Sequence, residues 1–110
     1  MDHAKVAELI DELEAEVNNG GIHQYFYNSA GDNTAETIQA LEAIGALRMA
    51  DIMRRAAGRF PGGAPPKERL ARQDVLLDYF ANIEVFQDLD DEFYEYPDKL
   101  ADLLKKYNAR

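Results

Sequence analysis

Between Ala4 and Val17 the apolar residues Val6, Leu9, Ile10, Leu13 and Val17 fall at i, i+3, i+4, i+7 and i+11. That period gathers all five on one side of a helix, whereas a strand would scatter them over two faces. The segment is therefore an amphipathic helix that needs a cover. The same period returns in Ile38, Leu41 and Ile44, in Leu47, Ala50, Met53, Ala57 and Phe60, and in Leu100, Leu103, Leu104 and Tyr107. Only Tyr25-Phe26-Tyr27 and Ile83-Glu84-Val85-Phe86 look β-like, and both are too short to set the class. The expectation is an all-α fold. It is a compact single-domain bundle over residues 1–110 with about five to seven short and medium helices.

Glycine, proline and short polar residues punctuate it. Asn18-Asn19-Gly20-Gly21 ends the first helix, because glycine takes the left-handed C-cap conformation. A short helix follows from Ile22, with Ile22, Tyr25 and Phe26 on one side. Ser29–Asn33 reads as a turn, and Asn33 with Glu36 has the spacing of a capping box. Gly45 marks a break. Phe60-Pro61-Gly62-Gly63-Ala64-Pro65-Pro66 cannot sustain a helix and is a loop. Lys67 to Phe80 is helical, with Leu70, Val75, Leu76, Leu77, Tyr79 and Phe80 as apolar mass. Asp88 to Tyr94 forms a helical turn, and Asp98 caps the last helix.

Charge is distributed by segment. Residues 1–45 hold nine acids against the single base Lys5; residues 46–72 hold seven bases against Asp51 and Glu68; residues 73–110 hold ten acids against four bases. The net charge of −9 repels nucleic acid and anionic lipid, and it attracts basic surfaces. On the first helix Glu8, Glu12 and Glu16 recur every fourth residue, about 6 Å apart along the axis, and Asp11 and Glu14 widen the stripe. Like charges at that spacing cost an isolated helix about 0.2–0.5 kcal/mol per pair, so helix stability does not account for them. A second cluster comprises Asp88, Asp90, Asp91, Glu92, Glu95 and Asp98. Two readings stand open: solvated helix faces, or carboxylates arrayed like a phosphate backbone. The middle arginines Arg48, Arg54, Arg55 and Arg59 either pair with these acids or form a separate anion site.

Catalytic and metal chemistry find little footing. Without cysteine there is no disulfide or thiolate site. His3 and His23 lie in no metal-ligand spacing. Gly62-Gly63 lacks the following Lys-Ser or Lys-Thr of a phosphate-cradling loop, and Asp88–Glu92 lacks the central glycine and distal glutamate of a calcium loop. The expectation is a non-enzyme with no catalytic residues, metal or cofactor. A site built from His23, Tyr25 and Asp32 beside the glycine turn is the enzyme reading to test. The start lacks the basic and apolar regions of a signal peptide, and no apolar run is long enough to span a membrane, so a cytoplasmic chain is expected.

Four blocks carry a resemblance. They are Asn19-Gly20-Gly21-Ile22-His23-Gln24-Tyr25-Phe26-Tyr27-Asn28-Ser29-Ala30-Gly31-Asp32, then Ala40–Ala46, then Phe60-Pro61-Gly62-Gly63 with Pro65 and Arg69, then Leu89–Tyr94 with Leu100, Leu103, Leu104 and Tyr107. In this order, from Asn19 to Tyr107, they resemble a bacterial family long catalogued as a domain of unknown function, which includes DNA-mimic protein nineteen. The resemblance implies an all-α fold and a homodimer. It also implies an acidic surface that occupies the DNA-binding face of a transcriptional regulator. The matched positions are mainly aromatic, glycine and leucine, which determine the fold and do not carry the acids. The expected function is an acidic protein-binding module, a DNA mimic whose partner is a basic protein such as a DNA-binding regulator. Its candidate surface is Glu8, Asp11, Glu12, Glu16, Asp88, Asp90, Asp91, Glu92 and Glu95. The alternative is an immunity or antitoxin-like protein that neutralises a basic toxin or nuclease.

Overall fold

A computed structural model describes residues 1–78 and 83–110; Tyr79 and Phe80, expected to extend the fourth long helix, lie outside them. The described chain is all α. Its helices are α1 (His3–Tyr27), α2 (Thr34–Ala43), α3 (Leu47–Gly58), α4 (Arg69–Asp78), α5 (Gln87–Tyr94) and α6 (Leu100–Asn108). Short 3-10 turns at Ser29–Asn33, Pro61–Gly63 and Ile83–Phe86 join them. The last of these is one of the two β-like stretches, and the other lies inside α1.

α1 is the central element. Its face of Val6, Leu9, Ile10, Leu13 and Val17 is buried, and α2, α4, α5 and α6 all touch it. At Gly20-Gly21 the helix breaks: Gly20 leaves helical geometry at φ −154°, and Gly21 takes φ +79° before Ile22 resumes. The glycine pair therefore acts as a kink between a long and a short helical piece. The short piece carries Ile22, Tyr25 and Phe26 into the core, where Phe26 meets Phe60 and Phe86 at ring-centroid distances of 4.8 and 5.6 Å.

Three local expectations give way to tertiary contacts. Asn33 makes no capping bond; Thr34 Oγ1 instead donates to the Gly31 carbonyl at 2.7 Å, and Glu36 turns to Lys67. Asp98 does not cap α6. Its Oδ2 accepts from the Met49 amide at 2.8 Å, so it caps α3 from a distant part of the chain. Leu47, Leu70 and Leu77, expected to add to the core, stand exposed.

The most consequential buried residue is charged. Arg72 is wholly buried on α4, one helical turn before the buried Leu76. Its Nε donates to the Phe26 carbonyl at 2.6 Å, Nη1 to the carbonyls of Pro66 and Lys67 at 3.1 and 2.9 Å, and Nη2 to the Asn28 carbonyl and Asp32 Oδ1, both at 2.9 Å. All five guanidinium N–H groups are thus matched. A side chain on Gly31 would put its Cβ 2.8 Å from Arg72 Nε and 2.9 Å from the Tyr25 carbonyl, so glycine is required there.

Replacing Arg72 with Met is expected to cost about 3–5 kcal/mol in urea unfolding, the usual scale for removing one partner of a buried ionic network. Arg72→Lys should recover little, because one ammonium cannot reach five acceptors laid out for a planar fork. A loss below about 1 kcal/mol would mean that these carbonyls rehydrate freely and that the guanidinium is not what joins the segments.

Candidate functional site

The stripe on α1 is not straight. Residues four apart on a helix of 3.6 per turn advance by about 40° per step, so Glu8, Glu12 and Glu16 drift from the outward face toward the helix flank. Glu8 is exposed and Glu12 and Glu16 are half-buried. At the flank Glu16 Oε2 accepts from Gln24 Nε2 at 2.9 Å and Asn28 Nδ2 at 2.8 Å. Glu14, on the opposite flank, accepts from the Tyr96 hydroxyl at 2.8 Å. Asp11 and Glu12 have no hydrogen-bond or ion-pair partner among the described residues. Only Glu8 has a cation nearby, with Lys5 Nζ 3.9 Å away. Bonds to neutral amides and a phenol leave the negative charge in place.

The second cluster divides in two. Arg55 in the last turn of α3 and Arg59 just past its end face Glu92 and Asp88, one turn apart on α5, so the two segments meet as an antiparallel ladder. Arg55 grips Glu92 with bonds of 2.9 and 2.6 Å and reaches Asp51 at 2.9 Å. Arg59 grips Asp88 at 2.7 and 2.6 Å and donates to the Val85 carbonyl at 2.6 Å. The bidentate bond from Arg59 pulls the Asp88 pKa down to about 2, and Arg55 lowers that of Glu92. Arg54 pairs with Glu42 at 2.8 Å. These arginines therefore serve the fold, and Asp88 and Glu92 are withdrawn from the expected free acidic surface.

Asp90 faces α1 instead. Its Oδ1 accepts from the Ile22 amide at 2.8 Å and caps the piece of α1 beyond the kink. A Cβ on Gly21 would lie 2.8 Å from its Oδ2. Burial pushes the Asp90 carboxyl pKa up, against the pull of the Ile22 amide. Asp91 accepts only from Gln87, at 2.9 Å, and Glu95 is exposed with no partner among the described residues. Tyr94 donates its hydroxyl to the Val17 carbonyl at 2.7 Å, and Tyr96 links Asn18 to Glu14. Reading 90 to 96 against 22 to 14 shows α5 and its exit running antiparallel to α1. Asp90 thus lies at the kink, beyond the last acid of the α1 stripe, with Asp91 next to it on α5. Sequence reasoning missed Tyr94 and Tyr96 as the ties that make this register; Tyr94 was read as one of the aromatics of the closing block, and Tyr96 carried no reading.

His23, Tyr25 and Asp32 do not converge. The Tyr25 hydroxyl is buried on Thr37 Oγ1 at 3.0 Å, Asp32 holds Arg72, and His23 stacks on Tyr27 at 6.2 Å. Burial lowers the His23 pKa, with Asp90 opposing. Surface clefts of about 280 and 410 Å³ among the described residues include neither His23 nor Tyr25, though Asp32 lines the smaller. One sits beneath Pro65 and Lys67, and the other runs between Arg48 and Glu95. No group of three or more His, Asp or Glu among the described residues is placed to hold a metal ion. No helix among them is long and apolar enough to cross a membrane.

The fold and its charges define a small helical domain knitted by arginines, none of which pairs with the acids of α1 among the described residues. The chain belongs to the DMP19-like protein family, whose model matches residues 2–110. No curated protein and no solved structure matches it.

The ladder between α3 and α5 should be visible in acid. A carboxylate whose folded pKa is depressed contributes stability above its unfolded value, near pH 4, and loses that contribution as pH falls through the folded value, here about 2 for Asp88. An Asp88→Asn, Glu92→Gln variant should be less stable than the parent at neutral pH and should lose less stability in that window. Urea midpoints from pH 5 to pH 2 check this, and parallel acid limbs would count against the ladder.

Proposed function

We propose that this protein binds a basic protein through the acidic face of α1, with Asp90 and Asp91 of α5 beyond the end of that face at the kink, and that it competes there with DNA. The observation that carries this reading is the placement of the arginines. Arg54, Arg55, Arg59 and Arg72 are engaged by Glu42, Glu92, Asp88 and Asp32. None reaches the carboxylates of Glu8, Asp11, Glu12, Glu14 or Glu16. Membership of the DMP19-like family supports a DNA-mimic role for such a face.

Carboxylates held on a rigid helix suit this role for two reasons. Their field draws a positively charged surface in before contact. The bonds that fix Glu14 and Glu16 reduce the side-chain freedom lost on docking. The partner is a DNA-binding regulator whose lysines and arginines meet carboxylates in place of phosphates, and the functional unit is a homodimer. Neither the partner nor the dimer requires catalysis, a metal or a cofactor.

Immobilised protein incubated with host extract at low salt should retain a basic DNA-binding protein, and both added salt and duplex DNA should release it. The variant Glu8→Gln, Asp11→Asn, Glu12→Gln should bind that protein at least about tenfold more weakly, since each lost charge removes on the order of 0.5–1 kcal/mol at a complementary interface. Recovery of no basic protein, or equal binding by the neutralised variant, would sink the proposal. Capture of a toxin or nuclease would instead favour the immunity-protein alternative.

A further inference from the structure

α4 carries a second surface that the acidic face of α1 does not include. Arg72 and Leu76 anchor the helix inward. On the helical wheel the opposite side collects Leu70, Asp74, Leu77 and Asp78. Leu70 and Leu77 are 67% and 61% exposed, far beyond what core leucines show. They stand seven residues apart, so they lie one above the other at about 10 Å along the axis. Tyr27, also exposed, borders them: its carbonyl accepts from Gln73 Nε2 at 2.8 Å and Arg69 Nε at 3.4 Å. Asp74 and Asp78 are exposed and have no partner among the described residues.

Single exposed leucines are ordinary on soluble proteins. Two stacked one heptad apart on one short helix, flanked along one edge by carboxylates with no partner among the described residues, form an apolar ridge against which a partner helix can pack. We infer that the outer face of α4 docks a basic amphipathic helix of a partner protein. That helix places aliphatic side chains over Leu70 and Leu77 and Lys or Arg against Asp74 and Asp78. Charge decides the occupant. A second copy of this chain stacked face to face through α4 would oppose Asp74 and Asp78 with the same acids, whereas a basic helix pairs with them. The surface is separate from the acidic face of α1 and does not rest on the reading given to it.

The test uses the full chain and a synthetic amphipathic peptide of about four turns, with leucines on one face and lysines on the other, alongside its glutamate counterpart. Amide chemical shifts followed by NMR during titration should move on α4 and at Tyr27 with the lysine peptide and stay still with the glutamate peptide. Leu70→Ser, Leu77→Ser should weaken binding at least about tenfold. Asp74→Asn, Asp78→Asn should weaken it less and flatten its salt dependence. Because all four side chains are exposed, both variants should melt within a few degrees of the parent. The variant neutralised at Glu8, Asp11 and Glu12 should bind the peptide as the parent does. Shifts confined to α1, or affinity unchanged by the serine pair, overturn the inference. So does a dimer in sedimentation that the serine pair abolishes, because it would identify a second copy as the occupant.

Discussion

A guanidinium with no access to water organises this domain. Arg72 joins the carbonyls that end α1, the carbonyls that follow the proline loop, and the carboxylate of Asp32 in the turn before α2. The last carbonyls of a helix have no partner within it and bear partial negative charge, so a cation at that end answers both needs. The arrangement holds only because it is complete. A buried charge or carbonyl left unmatched would cost several kcal/mol, a large share of what keeps a domain of this size folded. Gly31 belongs to the same requirement, since any side chain there would press on the guanidinium and the Tyr25 carbonyl.

The other arginines act by the same chemistry at the surface, where the energies are smaller and the consequence is chiefly one of selection. Exposed ion pairs contribute little to stability. By holding Asp88, Glu92 and Glu42, however, Arg59, Arg55 and Arg54 decide which parts of a chain of net charge −9 remain negative toward water. Among the described residues the largest run of acids left without an arginine is on α1, in place of the two equivalent acidic clusters that the residue pattern offers.

Much of this is legible in the residue pattern. The α1 face, the glycine break, the turn at Ser29–Asn33, the Gly45 break and the proline loop follow from periodicity and backbone chemistry, which act over a few residues. What escaped were partnerships made across the fold. Asp98 has the position of a cap for α6 and caps α3 instead. Asn33 and Glu36 have capping-box spacing and make no such box. Arg72 looked like one base among seven, although its place four residues before Leu76, on the inward side of α4, was a usable signal. The acids of α5 could not be sorted into paired and free without knowing that Arg55 and Arg59 lie opposite them in antiparallel order. One helix wheel would have warned that the glutamate stripe drifts off its face.

Rigidity links these features to the proposed docking. A duplex presents its phosphates at fixed separations, and a flexible acidic tail matches them only by giving up its own freedom on binding. Here α1 is fixed along its length. Its apolar face is packed, Asp90 caps the piece beyond the kink, and the hydroxyls of Tyr94 and Tyr96 fasten α5 and its exit to Val17, Glu14 and Asn18. Each tie holds the backbone or a carboxylate while adding no positive charge to the face. A fold that had immobilised the same acids with lysines would be as ordered and far less negative. The use of amides and phenols along α1, with the arginines engaged in the core, at Glu42 and on the side of α5 turned to α3, is what allows order and uncancelled charge to coexist on one helix.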